Sequence, residues 1–340
     1  MGVDDMNDII RLAHGSGGES SRKLIDEIVD GYLSNEILAQ LDDSAVIPVE
    51  DGRLAFTTDS YVINPVFFPG GDIGSLAVNG TVNDLAMVGA RPAAITLGLI
   101  LEEGLPLDDL RTILASIRDA SAAAGVRVVA GDTKVVERGS ADRIFINTSG
   151  IGYVPEDLDI SASNAVPGDV CVLSGSIGDH GIAVLSRREG IDFETGIISD
   201  TAPLNHLVAA MLKVTRWIHA MRDPTRGGLA TSLNEIAARS GVGITIDEQA
   251  VPVNPEVEQA CEMLGFDPFY VANEGKLVAF IPEAEAGPVL RAMKRAPYGE
   301  LSAVIGRVVA DNQGVVILNT RIGGQRILSP LSGELLPRIC

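Results

Sequence analysis

Four short acidic motifs are spread through the first half of the chain: Asp42-Asp43-Ser44-Ala45, Thr57-Thr58-Asp59, Asn83-Asp84 and Gly131-Asp132-Thr133-Lys134. Carboxylates gathered in one pocket repel each other unless a cation stands between them. Hard oxygen ligands suit Mg2+, which takes one or two carboxylates and completes its shell with water and substrate phosphates. Lys134 adds a compact positive charge for a phosphate. His14-Gly15-Ser16-Gly17-Gly18, ahead of a helix, offers backbone N–H groups to anionic oxygens. Each motif alone has a plainer use. An Asp at a strand end caps or turns the chain, a glycine run makes a tight turn, and Asn83 can satisfy a neighbouring backbone group. Together they point to Mg2+ and a phosphorylated ligand. No G-x-x-x-x-G-K-[ST] occurs, which disfavours a P-loop, and Gly175, Gly178 and Gly181 do not make the dinucleotide fingerprint.

Three cysteines offer nucleophiles. Cys171 sits in the apolar run Val170–Leu173, and Cys261 shares a helical face with Val257, Ala260 and Leu264, so both read as core residues. An odd count without metal-site spacing argues against a disulfide framework or a thiolate metal site. Cys340 ends a tail, Leu331–Cys340, that contains Gly333 and Pro337 and reads as mobile. Its α-carboxylate raises the thiol pKa, and Arg338 partly offsets that. Such a tail spans at most ~33 Å, enough to reach a pocket in a protein of this size. Judged on this alone, Cys340 is a terminal thiol with no task.

The elements that must position these groups suggest two domains and a tail: residues 1–155, 156–330 and 331–340. Ser20 or Ser21 is expected to cap a helix through Leu24, Ile25, Ile28 and Val29. Strands are expected at Leu54–Thr58, Arg127–Ala130 and Ile144–Gly150, and helices at Ile73–Met87 and Asp108–Ala124. Asn79, Asn83 and Asp84 interrupt the apolar helix Ile73–Met87, where polar groups are costly without partners. The polar segment Pro155–Pro167 marks the boundary. The second half opens with strand Val170–Ser174 and the loop Gly175–Gly181. Strand Ile218–Met221 then leads into Arg222-Asp223-Pro224-Thr225-Arg226-Gly227-Gly228 and a helix to about Ser240. Strands near Gly243–Ile246, Lys276–Ile281 and Val304–Val308, and a helix over Glu283–Lys294, complete the half.

Hydrophobic residues make up 46%, aromatics only 4%, and glycine is abundant at 37 residues, a mix suited to an α/β protein with tight turns. The net charge of −20 repels polyanions, so nucleic acid is excluded as a partner. The apolar run Ala93–Leu101 falls far short of the ~20 residues that span a bilayer. Met1–Asn7 lacks a basic start, so no signal peptide, no membrane association and a cytoplasmic location are expected.

In this order the motifs resemble the superfamily of aminoimidazole ribonucleotide synthetase, selenophosphate synthetase and thiamine-monophosphate kinase. Within it, the chain resembles the carbamoyl dehydratase family of hydrogenase maturation. The resembling segments are HGSGGESS, DDSAV, TTDSYVINPVFFPGGDIGSLAVNGTVNDLAMVGARP, GDTKVV, GSIGDHG, RDPTRGGLA, ANEGKL and LPRIC, running from residue 14 to residue 340. The N-terminal loop has no Cys beside a Lys, which sets it apart from selenophosphate synthetase. The resemblance implies a two-domain α/β (α+β) subunit of the aminoimidazole ribonucleotide synthetase-like fold. It further implies a homodimer through the N-terminal sheets, with ATP and Mg2+ bound near the interface. Asp42, Asp43, Asp59, Asp84 and Asp132 are the implied metal ligands. Gly15, Gly17, Gly18, Asn83, Asp84, Gly131, Asp132, Thr133, Lys134 and Asp223 are the implied nucleotide contacts. The implied reaction is dehydration of a carboxamide carried on the Cys340 sulfur, with Lys134 beside the phosphate and Glu274, or else His14, as base. The implied partners are a carbamoyltransferase that loads Cys340 and an iron-bearing maturation scaffold that accepts cyanide. A small-molecule synthetase or kinase of the superfamily, leaving Cys340 idle, and a non-catalytic nucleotide-binding scaffold are the alternatives. Deleting the tail separates them.

Overall fold

The structure is a computed structural model that describes residues 9–15, 19–35, 52–190, 196–331, 336 and 338–340. Gly17, Gly18, Asp42 and Asp43 lie outside the described residues. Helix α1 (Glu19–Ile28) contains Ser20 and Ser21 rather than following them.

The first half is built on β1 (Arg53–Tyr61), the short ribbon β2 (Phe67–Phe68) and β3 (Gly71–Asp72), then β4 (Arg91–Glu102), β5 (Arg127–Val136) and β6 (Ile144–Val154). Four of these form a sheet in the order β1-β6-β4-β5, antiparallel except for the parallel pair β4/β5. Helices α2 (Ile73–Met87) and α3 (Leu107–Ala124) lie on one side of it. Asp72 caps α2 by accepting from the Gly74 and Ser75 amides, and Ser75 returns the bond to the Asp72 amide. Strand periodicity then sorts the sheet. Ala55, Thr57, Asp59 and Tyr61 turn toward α2, while Leu54, Phe56, Thr58 and Ser60 face solvent. The apolar stretch around Ala93–Leu101 is β4, an interior strand paired on both sides, which explains its lack of clean alternation.

The second half holds a seven-stranded sheet. Its strands are β7 (Asp169–Leu173), β8 (Ala220–Arg222), β9 (Gly243–Asp247), β10 (Val278–Pro282), β11 (Ala303–Val309), β12 (Val316–Asn319) and β13 (Gln325–Ile327), in the order β13-β12-β9-β11-β7-β10-β8. Helices α4 (Asp179–Glu189), α5 (Asn205–Leu212), α6 (Gly228–Ser240), α7 (Pro255–Leu264) and α8 (Glu283–Met293) surround it. Alternate residues of β7 feed two cores. Cys171 and Leu173 join Leu229, Leu233 and Ile236 of α6, whereas Val170 and Val172 join Leu207 and Met211 of α5 and Val289 of α8.

Polar bonds bind the halves. Asn79 Nδ2 donates to Thr201 Oγ1 (3.2 Å), Asn205 Nδ2 to the Ala124 carbonyl (2.8 Å) and the Ser199 amide to the Pro69 carbonyl (2.8 Å). The chain end crosses the same boundary: Ile339 is buried in the first half's core, with Leu336 and Cys340 packed against it. No helix among the described residues is long and apolar enough to cross a membrane.

Candidate active site

A cleft of about 1220 Å³ opens between the halves, lined among others by Asp59, Asp84, Asp223, Arg226, Glu274 and Cys340. Each arrives on a different element. Asp59 points inward from β1 and accepts from the Tyr61 hydroxyl (3.3 Å). Asp84 projects from α2 and accepts from Thr57 Oγ1 (2.8 Å). Asp223 and Arg226 follow β8 in the turn into α6. Glu274 precedes β10 with its backbone amide donating to Asp200 Oδ1 (3.1 Å). Asp200 is itself paired with Lys276 (3.0 Å).

Burial dominates the chemistry of these groups. It pushes Asp59 up to about 6, helped by the adjacent Asp84 carboxylate, with which Asp59 shares a hydrogen bond. Burial, then Asp84, pushes Asp223 up to about 7. Burial followed by Asp223, Asp200 and Asp59 holds Glu274 well above the usual carboxyl range, and its Oε1 has no hydrogen-bond partner. The Cys340 thiol is pushed up to about 12 by burial and then by Glu274, against the pull of Arg226. These shifts all run the same way, toward tighter proton binding.

Among the described residues no group of three His, Cys, Asp or Glu side chains stands close enough to hold a metal ion. The Asp59–Asp84 pair nevertheless fits Mg2+, which needs only one or two carboxylates when phosphates supply the other oxygens. Glu274 Oε1, without a hydrogen-bond partner, is a further oxygen that fits a cation in the cleft.

Several expected site residues stand elsewhere. Asp132 and Lys134 lie within β5, not beyond its end, on the solvent face of the sheet, where they pair with each other (2.9 Å). Asp59 is in register, through Thr148 and Leu97, with Gly131, so Asp132 falls on the opposite face. Three strand spacings separate them, about 14 Å. Gly131 has a packing reason, since a Cβ there would meet the Leu97 carbonyl oxygen at 2.8 Å. Thr133 donates its amide to Asp132 (3.0 Å). Asn83 turns to the backbone: its Oδ1 accepts the Leu204 amide (2.8 Å), and its Nδ2 donates to the carbonyls of Ala202 (3.0 Å) and Glu274 (3.1 Å). Both amide hydrogens are used, and the side chain fixes the backbone that carries Glu274. His14 and Gly15 form the short turn Leu12–Gly15, in which His14 Nδ1 accepts the Arg11 amide (3.0 Å); neither lines the cleft.

The tail also differs from expectation. Its described end is seated, not free: the Val62 amide donates to the Cys340 carbonyl and the Asn64 amide to the Arg338 carbonyl, both at 3.3 Å. Arg338 pairs with Asp142 (2.7 Å) and donates to the Val62 carbonyl (2.9 Å), so it is Arg226 that moderates the thiol. Motif reading missed Arg226 and His180 as site residues, although both lie in quoted segments.

Two family models cover most of the chain: "AIR synthase related protein, N-terminal domain" matches residues 41–154 and "AIR synthase related protein, C-terminal domain" matches residues 166–319. The chain is 53% identical over 338 residues, 99% of each sequence, to a protein of Azotobacter vinelandii named "Carbamoyl dehydratase HypE". It superposes with a TM-score of 0.94 and 48% identity on a crystal structure of "Hydrogenase Maturation Protein HypE in complex with ATP", covering 97% of this chain and 99% of that one. It superposes with a TM-score of 0.80 and 46% identity on a chain of a "HypE-HypF complex", covering 92% of this chain and 100% of that one.

Proposed function

Since the chain belongs to the HypE carbamoyl dehydratases of the AIR synthase related family, we propose that it uses ATP to dehydrate a carboxamide held on Cys340 to a thiocyanate, a source of cyanide for a hydrogenase iron. The observation that carries this reading is the seating of Cys340 in the cleft beside Glu274, Asp59, Asp84 and Asp223.

The carboxamide oxygen is a poor leaving group. Its attack on the γ-phosphorus of ATP forms a C–O–P linkage, expels ADP and lets nitrogen shed one proton. Cleavage of the C–O bond then carries that oxygen away with inorganic phosphate, nitrogen loses its second proton, and S–C≡N remains. The chain's own groups supply position and proton transfer. Glu274 receives the first nitrogen proton, and the departing phosphate carries off the second. Burial raises the affinity of Glu274 for a proton, and positive charge brought in with the nucleotide would lower it toward that of a usable base. Asp59 and Asp84 would hold Mg2+, with Asp42 and Asp43 as further ligands, and the ion would offset triphosphate charge as it develops.

Asp132 and Lys134 enter through a second copy. The solvent face of the first sheet carries Phe56, 73% exposed, and Leu54, 57% exposed, on its β1 edge, and the Asp132–Lys134 pair on its opposite β5 edge. Pairing of two such faces in a homodimer would cover this apolar surface and bring Lys134 of one chain to phosphate bound by the other. A partner of the HypF kind loads the sulfur, and an iron-bearing scaffold receives the cyanide.

The test is peptide mass spectrometry of the C-terminal fragment after incubation with carbamoyl donor, loading partner and ATP. Mass gain by one carboxamide on Cys340, then loss of one water, is expected. Modification of any other residue, or cyanide delivery by Cys340→Ala, overturns the reading.

A further inference from the structure

The segment Gly175–Gly181 has no part in the reaction as described, yet it touches the tail. His180, the second residue of α4, is completely buried. Its Nε2 lies 2.8 Å from the Ile339 carbonyl oxygen and its Nδ1 2.8 Å from Ser199 Oγ. A carbonyl only accepts, so Nε2 must carry hydrogen. Burial lowers the ring's pKa, which favours the neutral form, and Nδ1 is then an acceptor. Ser199 completes the assignment: its Oγ accepts the Thr201 amide (3.1 Å), which leaves its own hydrogen for Nδ1. The edge of the aromatic pair with Phe68, 5.4 Å between centroids, holds the ring plane. Gly181 lets α4 pack closely here, for a Cβ there would lie 2.4 Å from Val271 Cγ1, and it would also press on the tail at 3.3 Å from Leu336 Cδ1. A few residues on, Arg188 donates through Nη2 to the Arg338 carbonyl (2.7 Å).

We propose that His180 is a positioning residue: the Thr201–Ser199–His180 relay locks one tautomer, and that tautomer grips the Ile339 carbonyl so that the next residue, Cys340, is presented to Glu274. The grip is on main chain, so it reads the position of the tail and not its side chains. It lies one residue from the sulfur, leaving the group on Cys340 unhindered. The inference rests on the tail chemistry above for its purpose, but the docking it asserts is measurable without that chemistry.

The experiment is the rate at which an alkylating reagent modifies Cys340 in the folded, unloaded full-length chain. Docking half-buries the thiol, so modification reports the undocked fraction. One buried hydrogen bond lost with its acceptor stranded is worth roughly a factor of ten in such an equilibrium. His180→Asn keeps a polar side chain but places its amide at the Ser199 side, out of reach of Ile339; it should raise the Cys340 rate about tenfold. His180→Gln returns a donor to the Nε2 position and should stay within about threefold of the parent. Cys171 and Cys261, both buried, serve as internal gauges of the fold and should stay unmodified throughout. Ser199→Ala, which removes the relay but leaves the ring, should raise the Cys340 rate several-fold. On loaded protein, single-turnover water loss should fall in parallel with docking. An unchanged Cys340 rate in His180→Asn and Ser199→Ala overturns the proposal, as does equal release of all three thiols, which would make His180 a packing residue. If docking shifts as expected but no carboxamide is ever found on Cys340, the latch stands and the reaction assigned to the tail falls.

Discussion

The two faces of the first sheet carry the same kind of residue under opposite conditions. On the covered face, Asp59 lies against Asp84 beneath α2 and its carboxyl is pushed up to about 6. On the open face, Asp132 is 68% exposed and paired with Lys134, 64% exposed. An acid at a pleat position has no fixed chemistry. Covered, it holds its proton more tightly; open, it is a solvated ion pair of little energetic weight until another surface covers it.

The largest test of this contrast asks whether the faces cooperate within one chain or between two. Asp59→Asn and Lys134→Ala should each cut water loss from loaded Cys340 by about 100-fold or more. If each site joins the covered face of one chain to the open face of another, co-refolding the two inactive variants should restore about a quarter of parental activity through random pairing. No recovery would mean that both faces serve the same chain's site. Next, Phe56→Arg on the open face should halve the mass measured by light scattering while circular dichroism stays unchanged. An unaltered mass would free that face from any role in association.

A smaller effect is expected at Asn83, which supports the covered face. Asn83→Ala strands the Leu204 amide and the Ala202 and Glu274 carbonyls. A urea midpoint should show a loss of about 3 kcal/mol. Smallest is the pH response of the nucleotide-free protein. Asp59 and Asp223, at about 6 and about 7, retain protons in the fold that the unfolded chain gives up near pH 4. Their contribution to stability is fully present below that pH and is lost as pH rises through 6 and 7. The melting temperature should fall by several degrees between pH 5 and 8. Asp223→Asn should flatten that fall, and added Mg-ATP should reverse it by releasing protons. A slope unchanged by Asp223→Asn would remove that residue from the cluster.

What could be read without coordinates follows the range of the forces involved. The α2 helix shows in its long apolar run and α3 in its periodicity, each with a glycine stop, Gly125 taking the left-handed conformation at φ 68°. Asp59, Asp84, Asp223, Glu274 and Cys340 were legible as short motifs, and the structure gathers all five. The side on which Asp132 falls was not legible. It depends on strand register across three pairings, including a bulge between Ile95 and Thr96, and one residue of slip inverts the answer. The α4 helix was hidden by glycines at 178 and 181 that usually announce a loop. Asn83 was visible as a polar intrusion in an apolar helix, but its partners lie more than 100 residues away, beyond any local pattern.

The bonds across the boundary bear on how the cleft is filled and emptied. Swinging the halves apart about a hinge would break the Asn79, Asn83, Asn205 and Ser199 contacts together, exposing or stranding buried donors and acceptors at roughly 1 kcal/mol or more apiece. The body is thus a stiff frame, and traffic through it would fall to the tail end, which is tethered on one side only and can give up its bonds one at a time. Turnover should then be paced by the tail's arrivals and departures, with little change in overall shape. Small-angle scattering curves recorded with and without nucleotide should superpose, whereas a mechanism built on domain closure would contract the particle.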